Sequence, residues 1–304
     1  MRCEICEGIA VISTRNGTLC ETHFKKKFES VVMETIKKYK LIRRGEIIAV
    51  ANSGGKDSLS LLYVLSKNFG NKNKIISITI DEGIAGYRNK TMETMKKYCD
   101  SWKVEYCVYS YKDFVGATMD SITKIREGIP CAACGVLRRH MLNFAAMETG
   151  ADKIATAHNM DDEAENVLMN LFQNDLEKMV RLGPVSGVVE SDGFVPRIKP
   201  LMFLSEKETM LFSILNGITA LHTPCPYAGF GFRGVMSRKI KEIESEMAGS
   251  KRNLIDVMMA LRDTCVKNST YKTISNCKLC KMPSSNDICE ACLIKIQING
   301  IKSN

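Results

Sequence analysis

No stretch of this chain approaches the roughly 18 consecutive apolar residues of a membrane span, and no secretory leader precedes the first cysteine, Cys3. The first absence excludes a helical integral membrane protein. The second weighs against an oxidising compartment, so the 13 cysteines are expected as metal ligands or thiolates in a reducing cytoplasm, not as disulfides. Acidic residues are the minority charge, 34 against 43 Lys and Arg, and the formal +9 favours a polyanionic partner without proving one. Basic residues cluster at Lys25–Lys27, Lys37–Lys40, Arg43–Arg44, Arg138–Arg139, Arg238–Lys241 and Lys251–Arg252, where solvated helix faces are the plainer reading. With 304 residues and 45% hydrophobic content, one main domain with small appendages is expected.

A Walker phosphate loop is also missing. In the run from Glu46 to Ser58, Val50 stands where the first glycine belongs and Asp57 follows Lys56. What stands there is an apolar strand, Ile47 to Ala51, then Asn52-Ser53-Gly54-Gly55, then a helix start at Lys56-Asp57-Ser58. Two residues without Cβ allow a sharp turn and close approach to the backbone. The unpaired N–H groups and positive dipole end of the helix make a ready anion site. A plain glycine turn with a helix cap is the alternative.

Apolar runs alternate with helical patterns through the middle of the chain. Strands are expected at Ile47–Asn52, Ile75–Asp81, Val104–Ser110, Lys153–Ala157 and Val195–Ile198. Helices are expected at Phe24–Tyr39, Asp57–Asn68, Asn89–Trp102, Leu137–Glu148 and Asp161–Asn170. This alternation predicts a parallel sheet with helices on both faces, and ligands beyond the carboxyl ends of its strands. Asp81-Glu82-Gly83-Ile84 and His158-Asn159-Met160-Asp161-Asp162 follow such ends and are expected to face the glycine turn. Asp161 and Asp162 suit magnesium or the positioning of a reacting group; Asp161 as a helix N-cap is the competing reading. No role is assigned to His158.

The termini carry two ligand quartets, Cys3-x2-Cys6 with Cys20-x2-His23, and Cys277-x2-Cys280 with Cys289-x2-Cys292. That spacing predicts one tetrahedral zinc each, closed and structural, in segments with too few apolar residues to fold without metal. A third pair, Cys131-x2-Cys134 in Pro-Cys-Ala-Ala-Cys-Gly, has no second pair nearby. Its best partner is Cys225, held between Pro224 and Pro226. Three thiolates suit a 4Fe-4S cluster with one iron left open, which can bind exogenous sulfur. Persulfide chemistry ending in a disulfide is the rival. Cys99, Cys107 and Cys265 have no partner at ligand spacing and read as core or surface residues.

Ser53-Gly54-Gly55-Lys56-Asp57-Ser58 resembles the PP-loop of the ATP pyrophosphatase superfamily, which cleaves ATP between its α and β phosphates. Together with Cys131-x2-Cys134-Gly135, Pro224-Cys225-Pro226 and the terminal quartets, the whole chain resembles the tRNA 2-thiouridine synthetases. The segments Cys131 to Arg139 and His158 to Ala164 look closest to the archaeal and eukaryotic wobble-uridine enzyme, the cytoplasmic tRNA 2-thiolation protein family. The T-loop uridine enzyme is the near neighbour and tends to carry Lys where this chain has Arg138. The tRNA cytidine thiolation enzyme is more distant, since it lacks the terminal pairs.

The resemblance implies an α/β fold, a Rossmann-like PP-loop domain (adenine nucleotide alpha hydrolase-like) with a zinc module at each end. The expected boundaries are 1–26, 27–265 and 266–304. It implies ATP and Mg2+ held around Ala51, Asn52, Ser53, Gly54, Gly55, Lys56, Asp57, Ser58, Ile80, Asp81, Ala157 and Asp161, with Cys131, Cys134, Cys225, Lys56, Asp161 and Arg138 as catalytic positions. ATP would adenylate the C2 oxygen of a uridine, and sulfur would then replace it. Arg138 and Arg139 would hold the adenylate phosphate or the tRNA backbone. The implied cofactors are ATP, Mg2+, a 4Fe-4S cluster and two Zn2+. The implied partners are tRNA, a sulfur donor (free sulfide or a ubiquitin-like thiocarboxylate) and a second copy of the chain, in the cytoplasm and away from membranes. Two other readings stay open: an iron–sulfur scaffold that binds nucleic acid through a degenerate nucleotide loop, and a PP-loop ligase that adds an amine.

Overall fold

The computed structural model describes residues 1–14, 17–186, 193–221, 224–228, 231–268 and 274–302, excepting the side chains of 263–268 and 301–302. A hairpin of β1 (Ile12–Thr14) and β2 (Gly17–Leu19) leads into α1 (Glu21–Lys38). Then follow β3 (Ile47–Ala51), α2 (Lys56–Phe69), β4 (Lys74–Asp81), α3 (Arg88–Trp102) and β5 (Glu105–Ser110). Three helices, α4 (Tyr111–Val115), α5 (Met119–Ile125) and α6 (Pro130–Glu148), lead to β6 (Lys153–Ala155). Next come α7 (Met160–Phe172), α8 (Leu176–Met179), β7 (Val185–Ser186), β8 (Arg197–Ile198) and α9 (Glu206–Leu215). The chain ends with α10 (Phe232–Glu246), α11 (Ser250–Asn268), the short pair β9 (Ser275–Asn276) and β10 (Pro283–Ser284), and α12 (Glu290–Lys302).

The main sheet runs β5-β4-β3-β6-β8-β7, parallel throughout except for β7, which pairs antiparallel with β8. From β3 the chain moves outward to β4 and β5, then returns through α6 to place β6 on the other side of β3. A crevice therefore opens beyond the carboxyl ends of β3 and β6, where strand order reverses. The period-2 alternation of β3 explains the two layers. Ile48 and Val50 face Leu61, Leu62 and Leu65 of α2 in one core, while Ala49 faces Leu137, Met141 and Ala145 of α6 in the other.

Both terminal segments are continuous with these cores. Cys3, Ile12, Leu19 and Phe24 join the first, and Phe28 stacks on Phe212 at 3.9 Å between centroids. Ala291, Ile294 and Ile298 of α12 join the second. The domain boundaries expected after residues 26 and 265 fall inside α1 and α11. Among the described residues, no helix is long and apolar enough to cross a membrane.

The expected helices and strands form, with two differences that matter. The helix expected from Leu137 begins at Pro130, because proline at the first helical position has no N–H to orphan and its φ is preset. Cys131 and Cys134 thus lie in a helical first turn. Asp161 does not cap α7; Asn159 does, in a reciprocal capping box with Asp162.

Between α7 and β8, Lys199 Nζ lies 2.8 Å from each oxygen of the fully buried Glu163. Lys199→Met strands that carboxylate in the core, so the unfolding free energy should fall by about 3–5 kcal/mol in denaturant titration. A loss below about 1 kcal/mol would show that Glu163 is neutral or hydrated.

Candidate active site

The turn after β3 is locked by its own side chains. Asn52 Oδ1 accepts from Gly54 N at 2.9 Å and from Ser58 Oγ at 3.0 Å, and Asn52 Nδ2 donates to Ser77 Oγ at 3.1 Å. Ser53 N donates to Ser58 Oγ at 3.2 Å, and Gly55 O lies 3.0 Å from the same hydroxyl as an alternative acceptor. Gly54 has φ +78°, and a Cβ there would sit 2.0 Å from the carbonyl oxygen of Thr91, so only glycine fits. No side chain caps α2, whose N-cap is Gly55. The first N–H groups of α2, at Lys56, Asp57 and Ser58, therefore face the crevice without a capping acceptor, as an anion site requires.

Lys56 Nζ lies 2.8 Å from Asp57 and 3.3 Å from Glu206. Burial works against its charge, but Asp57 and then Glu206 hold the ammonium above the ordinary lysine range. Burial pushes the carboxyl groups of Asp57 and Asp162 upward, only partly offset by Lys56 at the first and by the Asn159 amide at the second.

Asp161 is turned elsewhere. Its oxygens meet Lys251 Nζ and Glu206 N, the latter at 2.9 Å, so it ties α7 to α9 and α11. Of the other expected nucleotide positions, Ile80 is a core side chain whose carbonyl accepts from Arg88. Asp81 accepts from Gly83 N at 2.8 Å, and Ala51 and Ala157 are half-buried wall residues. His158 is exposed and pairs with Thr156 Oγ1 at 3.0 Å.

Across the crevice, the first turn of α6 presents Cys131, exposed, and Cys134, buried. Cys131 Sγ donates to the carbonyl of Tyr227 at 3.3 Å. That contact brings in the turn of Cys225, whose carbonyl accepts from Ala228 N. Tyr227 OH anchors the turn to Asp120 at 2.7 Å. Burial pushes the Cys225 thiol up, and the nearby Cys134 and Cys131 add to it while Arg138 opposes. Tyr111 OH donates to Cys134 O at 2.8 Å and lies 3.5 Å from its sulfur. The three thiols thus gather at one place, yet they are not among the described groups whose ligand atoms lie within 4.8 Å of one another. A polynuclear cluster, which spreads its thiolates wider than a single ion, suits that arrangement, and the dipole of α6 favours negative charge there. His222 and Thr223 of this segment, and the side chain of Cys265, lie outside the described residues.

One chain of contacts joins the two halves. Arg88 Nη1 donates to Ser53 O at 2.8 Å, and Arg88 Nε sits 2.9 Å from Glu82 in an ion contact rather than an aligned hydrogen bond. The other Glu82 oxygen lies 2.9 Å from Arg138, and Arg138 Nη2 donates to Cys134 Sγ at 3.2 Å. Glu82 and Arg88 are 4% and 3% exposed, so neither can turn to solvent for a substitute partner. Sequence reasoning placed Arg138 and the Glu82 loop here but missed Arg88, Glu206, Tyr111 and Tyr227. Apart from the loop's place after a strand end, their residue types and spacing carried no signal.

The terminal quartets also assemble. Cys3 and Cys20 Sγ lie 3.5 and 3.3 Å from His23 Nδ1, and Cys6 lies 3.6 Å from Cys20. Cys280 and Cys289 are 3.7 Å apart, and each quartet keeps its ligand atoms within 4.8 Å. Bonds of about 2.0–2.3 Å to a tetrahedral ion imply edges of roughly 3.3–3.8 Å, which spans these values. Burial opposes ionisation of Cys3 and Cys277, but backbone amides of the neighbouring turns bring both thiols down to about 6. One thiol of each quartet is lowered in this way, whereas Cys6, despite the Gly8 amide, is raised chiefly by the neighbouring Cys20, and Cys280 and Cys292 chiefly by burial.

Glu82→Gln removes the carboxylate that pairs with two guanidinium groups, one of them buried. The unfolding free energy should drop by about 3–5 kcal/mol in a denaturant titration. An unchanged midpoint would mean that Arg88 is held by Ser53 and Ile80 alone.

Comparison with known proteins agrees with this geometry. A PP-loop domain family matches residues 20–211. The chain is 34% identical to cytoplasmic tRNA 2-thiolation protein 1 of Danio rerio, over 98% of this chain and 89% of the relative. It is also 34% identical to tRNA-5-methyluridine(54) 2-sulfurtransferase of Pyrococcus horikoshii, over 96% and 93%. The fold superposes on the U34-tRNA thiolase NcsA from Methanococcus maripaludis, solved with its 4Fe-4S cluster, with a TM-score of 0.85 and 28% identity over 98% of this chain and 96% of that one. The chain belongs to the PP-loop family of tRNA 2-thiolation enzymes.

Proposed function

We propose that this protein is an ATP-dependent tRNA-uridine 2-sulfurtransferase acting at the wobble position. The observation that carries the reading is the link from Ser53 through Arg88, Glu82 and Arg138 to Cys134, which sets a phosphate turn and a sulfur site in one crevice. A ring carbonyl does not yield its oxygen to sulfide unless that oxygen is first made a good leaving group, so both sites must reach the same uridine C2. Identity to the wobble-type and T-loop relatives is equal, and Arg138 favours the wobble assignment.

The N–H groups opening α2 hold the ATP phosphates, and Lys56 offsets the charge that gathers on departing pyrophosphate. The uridine O2 attacks the α-phosphorus, pyrophosphate leaves, and the oxygen later departs as AMP. Asp57 and Asp162 would supply oxygen ligands for Mg2+, while Asp161 fixes Glu206 behind Lys56. Arg138, set by Glu82, faces the reacting carbon from the thiolate side and opposes the charge of the adenylate phosphate. Cys131, Cys134 and Cys225 would hold a 4Fe-4S cluster, which when bound would supply nucleophilic sulfur. Tyr111 keeps its proton because burial and the adjacent Cys134 raise it, and it hydrogen-bonds the backbone of that cysteine.

The same proposal places one Zn2+ in each terminal quartet as a structural ion. It divides the chain into a module at 1–26, the PP-loop domain at 27–265 and a module at 266–304. Working as a homodimer in the cytoplasm, the enzyme takes sulfur from free sulfide or a thiocarboxylate.

Alanine at Cys131, Cys134 or Cys225 should abolish 2-thiouridine formation in anaerobic assays while zinc stays at two per chain by elemental analysis. Retained thiolation in any of the three would overturn the cluster assignment. Lys56→Ala should slow tRNA-dependent pyrophosphate release on the order of 100-fold or more. A protein that releases no pyrophosphate with ATP, Mg2+ and tRNA is a scaffold. Nucleoside mapping of the product separates position 34 from position 54 and exposes any amine addition.

A further inference from the structure

Most cations around the crevice are matched. Lys56, Arg88, Arg138, Lys199 and Lys251 each lie 2.9 Å or less from a carboxylate oxygen. Arg139 and Arg197 are not: among the described residues neither has an ion-pair partner. They are nevertheless held together, because Arg197 Nη2 donates to the carbonyl of Arg139 at 3.0 Å. Arg197 Nε is buried with no hydrogen-bond partner. Burial and the Arg139 charge push the Arg197 guanidinium down to about 10, and burial with Arg138 lowers Arg139. Like charges close enough to lower one another, with no carboxylate paired to either among the described residues, favour the approach of an anion.

Gly135 belongs to the same device. A Cβ on it would lie 3.2 Å from Arg139 Nη1, so the guanidinium rests along the bare backbone one turn back, beside Cys134. The glycine that follows the second cysteine therefore makes room for an arginine. This site is not the nucleotide turn. Arg197 stands on β8, two strands from β3 in the order β3-β6-β8, or roughly 10 Å across the sheet.

We propose that Arg139 and Arg197 form a phosphate fork that grips the RNA backbone next to the target uridine and holds that strand beside the thiolates. This rests on the tRNA-thiolation reading. Guanidinium pairs bind any phosphate, so the nucleotide's own phosphates are the other source to be separated by experiment.

The test uses full-length protein with its cluster reconstituted anaerobically, as wild type, Arg139→Gln, Arg197→Gln and Arg197→Lys. Binding of an unmodified tRNA transcript is measured across a salt series, and ATP binding separately. Each Gln variant should bind tRNA about 10-fold more weakly and flatten the log affinity against log salt slope by about 0.7–0.9. ATP affinity should not change, and Arg197→Lys should recover the slope. Unchanged tRNA affinity and slope in both Gln variants, or a parallel loss of ATP affinity, would overturn the fork. Arg139 is on the surface, so its variant remains the readout if Arg197→Gln does not fold. Wild-type sulfur transfer to the same transcript is scored apart. Thiolation with indistinguishable variants sinks the fork alone, whereas variant-sensitive binding without any thiolation sinks the enzymatic reading and keeps the fork.

Discussion

The crevice depends on one buried carboxylate. Glu82 lies between Arg88, which grips the nucleotide turn at Ser53 and the end of β4 at Ile80, and Arg138, which reaches the sulfur of Cys134. A guanidinium presents donors in a fixed fork, so two of them on one carboxylate set relative angles as well as distances. Moving the turn relative to α6 would break a charge contact on a carboxylate that is buried and cannot turn to solvent. Sulfur transfer to an activated carbon needs the two reactive centres held close and aligned, and this pairing supplies that rigidity.

The sheet topology supplies the rest. Because the strands are parallel, α2 and α6 both begin at the carboxyl end of the sheet, the reversal of strand order puts them on opposite faces, and neither start is capped by a side chain. The helices that follow nearby, α7 and α9, are closed by capping boxes from Asn159 and Ser205. Two positive helix ends thus face the crevice, one suited to phosphate and the other to a thiolate-bound cluster. The acidic side chains of α7 are divided accordingly: Asp161 turns inward to Lys251, and Asp162 stays at the mouth with Arg233 3.6 Å away.

What could be read in advance follows from the range of each interaction. The uniformly apolar β3 and the abrupt Ser-Gly-Gly turn are local, and so are the ligand pairs at both ends. All were legible without a fold. The start of α6 was not, because Cys131 to Gly135 has no amphipathic period, although Pro130 at the first helical position offered a clue. The inward turn of Asp161 was open to inference, since it shares a helical face with buried Ala164 three residues on. Two-residue strands such as β7 and β8 are too short to carry a pattern. The Arg88–Glu82–Arg138 pairing is tertiary, joining residues from the β4–α3 loop, α3 and α6, and no spacing rule could reveal it.

The quartets at the termini lie apart from the chemistry but are mechanically tied to it. Residues of α12, which begins between the ligands Cys289 and Cys292, pack in the same core as Leu137 and Met141 of α6, the helix that carries Cys131 and Cys134. At the other end, α1 starts beside Cys20, carries His23, and stacks Phe28 on Phe212 of α9, the helix whose first residue, Glu206, contacts Lys56. Metal bound at either quartet would add its folding free energy to a helix that buttresses one half of the crevice. Closed four-ligand sites need no open coordination position to matter for catalysis in this way. Through α1 against α9 and α12 against α6, the two terminal segments brace the phosphate side and the sulfur side of the crevice.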